Sequence, residues 1–316
     1  MPRSPYLLLK SLYRGVHRGV LEIAAGLGWN VALTSDFYSP LPVRRELERT
    51  RELWDRPSGL VGVDYDLDAI GGRLERLVER YADEYRELPS YEEHKELGYG
   101  PGFTLLDALV LYMQLRELKP RRYIEIGSGF STYYAWLALE RNRKEGSPCH
   151  LGCVDPFPTE ELRQLTGLTV VASEVQALDS EFFDQLGSGD VLFIDSTHAL
   201  KIGGDVAFLY LEVIPRLRPG VVIHSHDVHF PYNVPHPAEQ YVFRAKWPRY
   251  WTEAMLLQAF LAFNREFEIL ISAPLLRHYD EERLARTIPD YRPVEVADHD
   301  THFGSLWWRR VPRPEE

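Results

Sequence analysis

Cysteine is nearly absent from this chain. Only Cys149 and Cys153 occur in 316 residues, so no disulfide framework holds the fold, and their spacing is not that of a zinc ribbon. Small buried residues near a strand is the plainer role for both, and low thiol use fits a reducing cytoplasm. A basic excess is also missing. The formal net charge is −11, which argues against a nucleic-acid surface. Long apolar runs are lacking too: Leu7-Leu8-Leu9 and the stretch 16–20 are broken by Lys10, Arg14, His17 and Arg18, so neither a membrane span nor a signal-peptide pattern is expected there. Internal repeats and low-complexity segments are not found.

What is present is a globular composition, 45% hydrophobic and 26% charged, in a chain long enough to fold without staples. The first 21 residues hold Arg3, Lys10, Arg14 and Arg18 and no acid. A basic amphipathic helix in residues 1–20 can rest on an anionic membrane surface, although packing on its own protein is the preferred reading. Residues 1–100 read as a helical N-terminal extension, with an apolar stripe of Leu74, Leu77, Val78 and Tyr81 at helical spacing. The cluster Gly98-Tyr99-Gly100-Pro101-Gly102 breaks helix and strand alike and marks the boundary. From 101 to 316 the pattern changes. A helix over 104–117 precedes five short apolar runs, at 123–126, 151–154, 168–171, 191–194 and 221–223, separated by helical stretches. Such alternation predicts a parallel sheet buried on both faces in a doubly wound α/β architecture. A helix over 251–264 and two late strands, 267–271 and 305–308, follow.

Four places carry candidate chemistry. Glu125-Ile126-Gly127-Ser128-Gly129 leads from the first strand into a turn and a helix starting near Ser131. The glycines allow close backbone approach, and the helix start offers free N–H groups. A dinucleotide fingerprint would place a third glycine where Thr132 stands, and Glu125 would repel a pyrophosphate but suit an ammonium. Asp155 ends the second strand, where an acid accepts ribose hydroxyls. Asp195 ends the fourth, with His198 three residues on and able to take a proton near neutral pH. After the fifth strand come His224, His226, Asp227, His229 and His236, imidazoles and a carboxylate suited to magnesium, manganese, zinc or iron. Trp247, Arg249, Tyr250 and Trp251 either line an acceptor pocket or pack in the core.

The ordered set Glu125-Ile-Gly-Ser-Gly, Asp155, Phe193-Ile-Asp195 and Leu217-Arg-Pro-Gly220 resembles the class I S-adenosylmethionine-dependent methyltransferases. The stretches Phe-Ile-Asp-Ser-Thr-His and Ile-His-Ser-His-Asp look like a bacterial methyltransferase-domain branch with a helical N-terminal extension. The resemblance implies a Rossmann-like seven-stranded, mostly parallel sheet with an antiparallel last strand. It implies that Glu125, Gly127, Ser128, Gly129 and Ser131 surround the methionine part of the cofactor and that Asp155 holds the ribose. Similarity to the metal-dependent catechol-type O-methyltransferases implies metal ligation by Asp195, His226 and Asp227 and a base at His198. The His226-Asp227 pair departs from the usual Asp-Asn or Asp-Asp, which leaves the metal open. The expected activity is O-methylation of a small hydroxylated acceptor, sugar or natural-product-like. Two alternatives stand beside it: a metal-dependent oxygenase or hydrolase using His224, His226, Asp227 and His229, and a non-catalytic cofactor-binding module.

Overall fold

The computed structural model describes residues 18–32, 34–100 and 102–312. Most of the basic segment 1–20 therefore lies outside the described residues, as does Pro101 of the glycine cluster. The chain divides into two units, Met1–Trp54 and Asp55–Glu316. In the first, the short helices Arg44–Arg49 and Arg51–Trp54 bury none of their residues. Exposed pairs such as Arg44–Glu48 at 3.0 Å support them, each worth about 0.3–0.5 kcal/mol. Among the described residues no helix is long and apolar enough to cross a membrane.

The second unit is built on one seven-stranded sheet: β1 (Arg122–Ile126), β2 (His150–Val154), β3 (Leu168–Val171), β4 (Val191–Ile194), β5 (Val222–Ser225), β6 (Phe267–Ser272) and β7 (Leu306–Arg310). Their order is β3-β2-β1-β4-β5-β7-β6. β1 to β5 pair in parallel, and β7 runs antiparallel to both β5 and β6. This is the Rossmann-like sheet with a reversed last strand. The central strands β4 and β5 are buried along their whole length, as expected where helices cover both faces. Every predicted strand exists, displaced by no more than two residues at either end.

Helix Leu105–Leu118 is buried on nearly every side. It lies against helix Phe130–Lys144 and helix Leu67–Arg86, and the latter also touches β6. Helix Leu67–Arg86 starts at Asp66, whose carboxylate accepts from Ala69 N, and buries Ile70, Leu74, Leu77 and Tyr81 on one stripe. Arg116 fastens the three helices together. Its buried guanidinium reaches Glu84 at 2.5 Å, Glu145 at 2.6 Å and the amide oxygen of Asn142. The stripe of helix Leu67–Arg86 is thus part of the sheet's own core. Leu74→Ala, at a site with no exposure, is expected to cost about 2–5 kcal/mol. Urea unfolding checks this; an unchanged midpoint would mean that the helix is not part of the cooperative core.

Candidate functional site

The functional side chains collect at the carboxyl ends of the parallel strands, and the backbone ladder puts them there. Each parallel ladder extends one rung past its strand: Gly127 N to Val154 O, Asp155 N to Val171 O, Asp195 N to Ile126 O and His226 N to Ile194 O, all between 2.9 and 3.1 Å. Gly127 sits at φ 91°, and a Cβ there would lie 2.1 Å from the Asp195 carbonyl oxygen. Only glycine fits this position.

A cleft of about 310 Å³ opens along this edge, within the size range of small-molecule sites. Gly127, Asp155 and Asp195 line it. Ser128 Oγ donates to Asp155 at 2.6 Å, and Phe157 N donates to the other carboxylate oxygen at 2.7 Å. Gly129 begins helix Phe130–Lys144, its N–H bonded to Thr132 Oγ1 at 3.0 Å. Of the other residues expected around the cofactor, Glu125, Ser128, Gly129 and Ser131 are not in the cleft lining, and Glu125 and Ser131 are buried. Glu125 is fully buried and accepts from Ser131 at 2.5 Å, Thr132 at 3.0 Å and Tyr123 at 3.1 Å. Burial outweighs these hydroxyl donors and lifts its carboxyl to about 8. Sequence reasoning missed Glu174 and Gln176, which follow β3 and line the same cleft. Their signal was position alone: they follow a strand that ends at this edge.

The second group of side chains begins where the cleft ends, at Asp195. His198 Nε2 lies 3.1 Å from Asp195 Oδ1 and 3.4 Å from Asp227 Oδ2, while its Nδ1 meets Glu253 Oε2 at 2.9 Å. Tyr210 donates to the other Glu253 oxygen at 2.9 Å. His198 and Asp227 both adopt left-handed backbone, φ 56° and 55°, a conformation that costs energy outside glycine. For His198 the geometry is fixed by its carbonyl, which accepts from Thr252 N and Glu253 N. His226 is buried with Nε2 3.3 Å from Asp107 Oδ2. Its Nδ1 has no hydrogen-bond partner and faces Asp195 at 3.5 Å and Asp227 at 3.8 Å. Burial pushes His198 down, but Asp195, Glu253 and Asp227 outweigh it and raise the imidazole to about 10. Burial opposes ionisation of Asp195 as well, yet His226 and His198 hold it far below the usual carboxylate range. For Asp227 burial prevails and shifts its carboxyl upward from the ordinary carboxylate value.

Among the described residues, Asp195, His198 and Asp227 are the group whose ligand atoms converge, all within 4.8 Å of one another. Two ligands bound at right angles, each about 2.1 Å from one ion, stand about 3 Å apart, so the His198–Asp195 and His198–Asp227 spacings fit a shared divalent cation. His226, expected as a ligand beside Asp195 and Asp227, is not part of this group, where His198 stands instead, and His224 and His229 do not join it either. His224 is stacked between Phe193 at 4.2 Å and Trp307 at 4.0 Å and bonded to Ser305; burial drives it well below ordinary imidazole basicity. Asp107, Tyr210 and Glu253 were missed from sequence. Asp107 did leave a trace, as an acid in the first turn of an otherwise apolar helix. Trp251 stands beside His198 at 4.7 Å, and Arg249 covers both Tyr241 and Trp251 at 5.2 Å. Trp247 is exposed.

Residues 124–228 match a family model described as a methyltransferase domain. That span runs from β1 to just past β5 and contains every residue expected at the cofactor, base and metal positions, but not His229 or His236. An uncharacterized protein of Archaeoglobus fulgidus is 29% identical over 164 residues, 48% of this chain and 71% of that protein. Among solved structures, an O-methyltransferase from Bacillus cereus in complex with SAH is similar at 12% identity and a TM-score of 0.41, covering 76% of this chain and 91% of that one. The O-methyltransferase TomG from Streptomyces achromogenes, involved in tomaymycin synthesis and solved with SAM, gives 15% identity and a TM-score of 0.40, covering 79% and 91%.

The buried carboxyl of Glu125 yields a pH prediction. Its folded value, about 8, lies above the ordinary 4.5. The stability it confers is therefore complete below the unfolded value and is lost as pH rises through the folded one. Glu125→Gln, which cannot ionise, is expected to gain melting temperature relative to the parent as pH rises from about 4.5 to about 8 and to gain no more above that. Parallel melting curves for the two proteins across that range would contradict the assignment.

Proposed function

From the premise that this chain belongs to the class I S-adenosylmethionine-dependent methyltransferases, we propose that it methylates a hydroxyl oxygen of a small acceptor, sugar or natural-product-like. The observation that carries this reading is the double role of Asp195, which lines the cofactor cleft and also touches His198. Cofactor and base thus meet at one carboxylate. In this reading Asp155 accepts the ribose hydroxyls, and Gly127, Ser128 and Gly129 lead the methionine moiety along the start of helix Phe130–Lys144. Glu125 acts from behind, fixing Ser131 and Thr132 in the turn. An acidic chain is in keeping with a small-molecule acceptor rather than a nucleic acid.

The reaction needs an acceptor oxygen in line with the sulfonium methyl. As the oxygen–carbon bond forms and the carbon–sulfur bond breaks, the hydroxyl proton goes to Nε2 of neutral His198, a form that grows as pH rises toward the ring's raised value of about 10, and S-adenosylhomocysteine leaves. Glu253, itself held by Tyr210, accepts the Nδ1 hydrogen and keeps the other nitrogen turned toward Asp195 and Asp227. One specific observation supports a second reading of the same atoms, namely the convergence of Asp195, His198 and Asp227. Those residues would hold a divalent ion, which would supply Lewis-acid lowering of the acceptor hydroxyl pKa. His198 would then serve as ligand instead of base.

His198→Ala is expected to lower kcat about 10²–10⁴-fold while cofactor affinity by calorimetry stays nearly unchanged. Equal losses in both would remove the base. Elemental analysis of the purified protein separates the two roles: a stoichiometric metal that disappears in both His198→Ala and Asp227→Asn makes His198 a ligand. Asp155→Ala should weaken S-adenosylmethionine binding about 10–100-fold, the value of hydrogen bonds to a charged acceptor. Unaltered binding would displace the ribose from Asp155.

A further inference from the structure

Behind the reactive cluster lies a second cavity, of about 200 Å³, walled by His229, Tyr232, His236, Arg277, His278 and Phe303. No carboxylate lines it, although Asp and Glu outnumber Lys and Arg by 47 to 36 in the chain; the Asp55 carboxylate acts on His236 and Tyr232 from outside the lining. Its one permanent cation is unusual. Arg277 forms no ion pair among the described residues. Its three nitrogens donate to the Tyr291 hydroxyl at 2.9 Å, Thr301 O at 2.8 Å and Arg292 O at 3.1 Å. The guanidinium face lies over Phe303 at 3.5 Å. The nearest acid along this path, Glu281, stops one hydroxyl short: it accepts from Tyr291 at 2.6 Å. A guanidinium has five N–H donors, and a partly buried one without a carboxylate lacks its natural partner.

The imidazoles repeat the pattern. His229 is 4% exposed, and both of its ring nitrogens are buried without a hydrogen-bond partner. His236 Nδ1 is likewise buried and unpartnered, its ring stacked on Tyr232 at 3.7 Å. Native interiors leave few such groups unpaired, and a concentration of them along one cavity points to an absent ligand. The cavity also adjoins the reaction site. A Cβ on Gly304 would lie 3.0 Å from His229 Nε2 and 3.2 Å from Asp227 Cα.

We propose that this cavity is a binding site for an anionic group, a carboxylate or a phosphate, received by Arg277, His229 and His236. The anion belongs either to the methyl acceptor, whose hydroxyl then reaches Asp227 from this side, or to a separate small molecule. Both sources present the same chemistry to the same three residues. The binding does not depend on the methyl-transfer reading and is measured without it.

The full-length protein is titrated with inorganic phosphate and with acetate at constant ionic strength, following melting temperature and heat. A saturable response is expected, weakened about tenfold or more in His236→Phe and in Arg277→Met, and unchanged in Lys246→Met. Should Arg277→Met fail to fold, His236→Phe carries the test alone. No saturable response in the parent, or equal affinity in parent and variants, would overturn the site. Where a hydroxylated acceptor is turned over, phosphate that raises its KM at constant kcat assigns the anionic group to the acceptor. Phosphate that binds and leaves KM unchanged assigns it to a separate small molecule.

Discussion

The whole site depends on how the parallel ladders end. One extra rung beyond each strand fixes the backbone of Gly127, Asp155, Asp195 and His226, so four chemically useful positions stand along a single edge before any side chain makes a contact. The tightest point of that arrangement is the approach of Gly127 to the Asp195 carbonyl. It joins β1, which opens the cleft, to β4, which carries the first carboxylate of the histidine–carboxylate cluster. Substituting a larger residue at Gly127 would force the two central strands apart at the place where both groups of side chains meet.

Beyond the ladder, charge takes over. Asp107, Asp195, Asp227 and Glu253 surround the buried rings of His198 and His226. Four carboxylates against two imidazoles leave a negative surplus even when both rings are protonated, and buried surplus charge is costly. That surplus raises the basicity of both imidazoles, and it would equally favour a divalent cation. His198 and Asp227, both in left-handed backbone, face each other there at 3.4 Å. The carbonyl of His198 is then locked by the start of helix Glu253–Leu261, so strain at one residue is held by a helix far away in sequence.

Much of this was legible in the sequence, and the part that was not has a physical reason. The strands were legible because a sheet buried on both faces must be written as continuous apolar runs. The β1 turn was legible because only glycine satisfies it, and Asp155, Asp195 and His198 because strand ends mark the ligand edge. Glu253 was hidden, since an acid in the first turn of a helix is ordinary capping chemistry and its partner lies 55 residues away. The histidine run after β5 misleads in the same way. Its residues look like one cluster along the chain, yet His224 is consumed by stacking between Phe193 and Trp307, His226 faces Asp107 and Asp195, and His229 faces the second cavity. Neighbours in sequence diverge once the strand ends and the backbone turns at Asp227.

The reversed last strand explains why that second cavity exists beside the site at all. Because β7 runs antiparallel to β5, the residues leading into it, His302 to Ser305, arrive at the same carboxyl edge where β5 leaves. There Gly304 N donates to Asp107 at 3.2 Å, and its carbonyl accepts from Val228 N at 2.9 Å. β6 runs antiparallel to β7 and so parallel to β5. Its exit through Pro274 and Arg277 therefore lies at that edge too. Three chain segments, two leaving the sheet and one entering, thus enclose the space around His229 and His236. A seventh strand of parallel sense would have delivered its lead-in at the opposite end of the sheet. Asp107 would then have lost a donor, and His229 would have lost the glycine against which its ring packs.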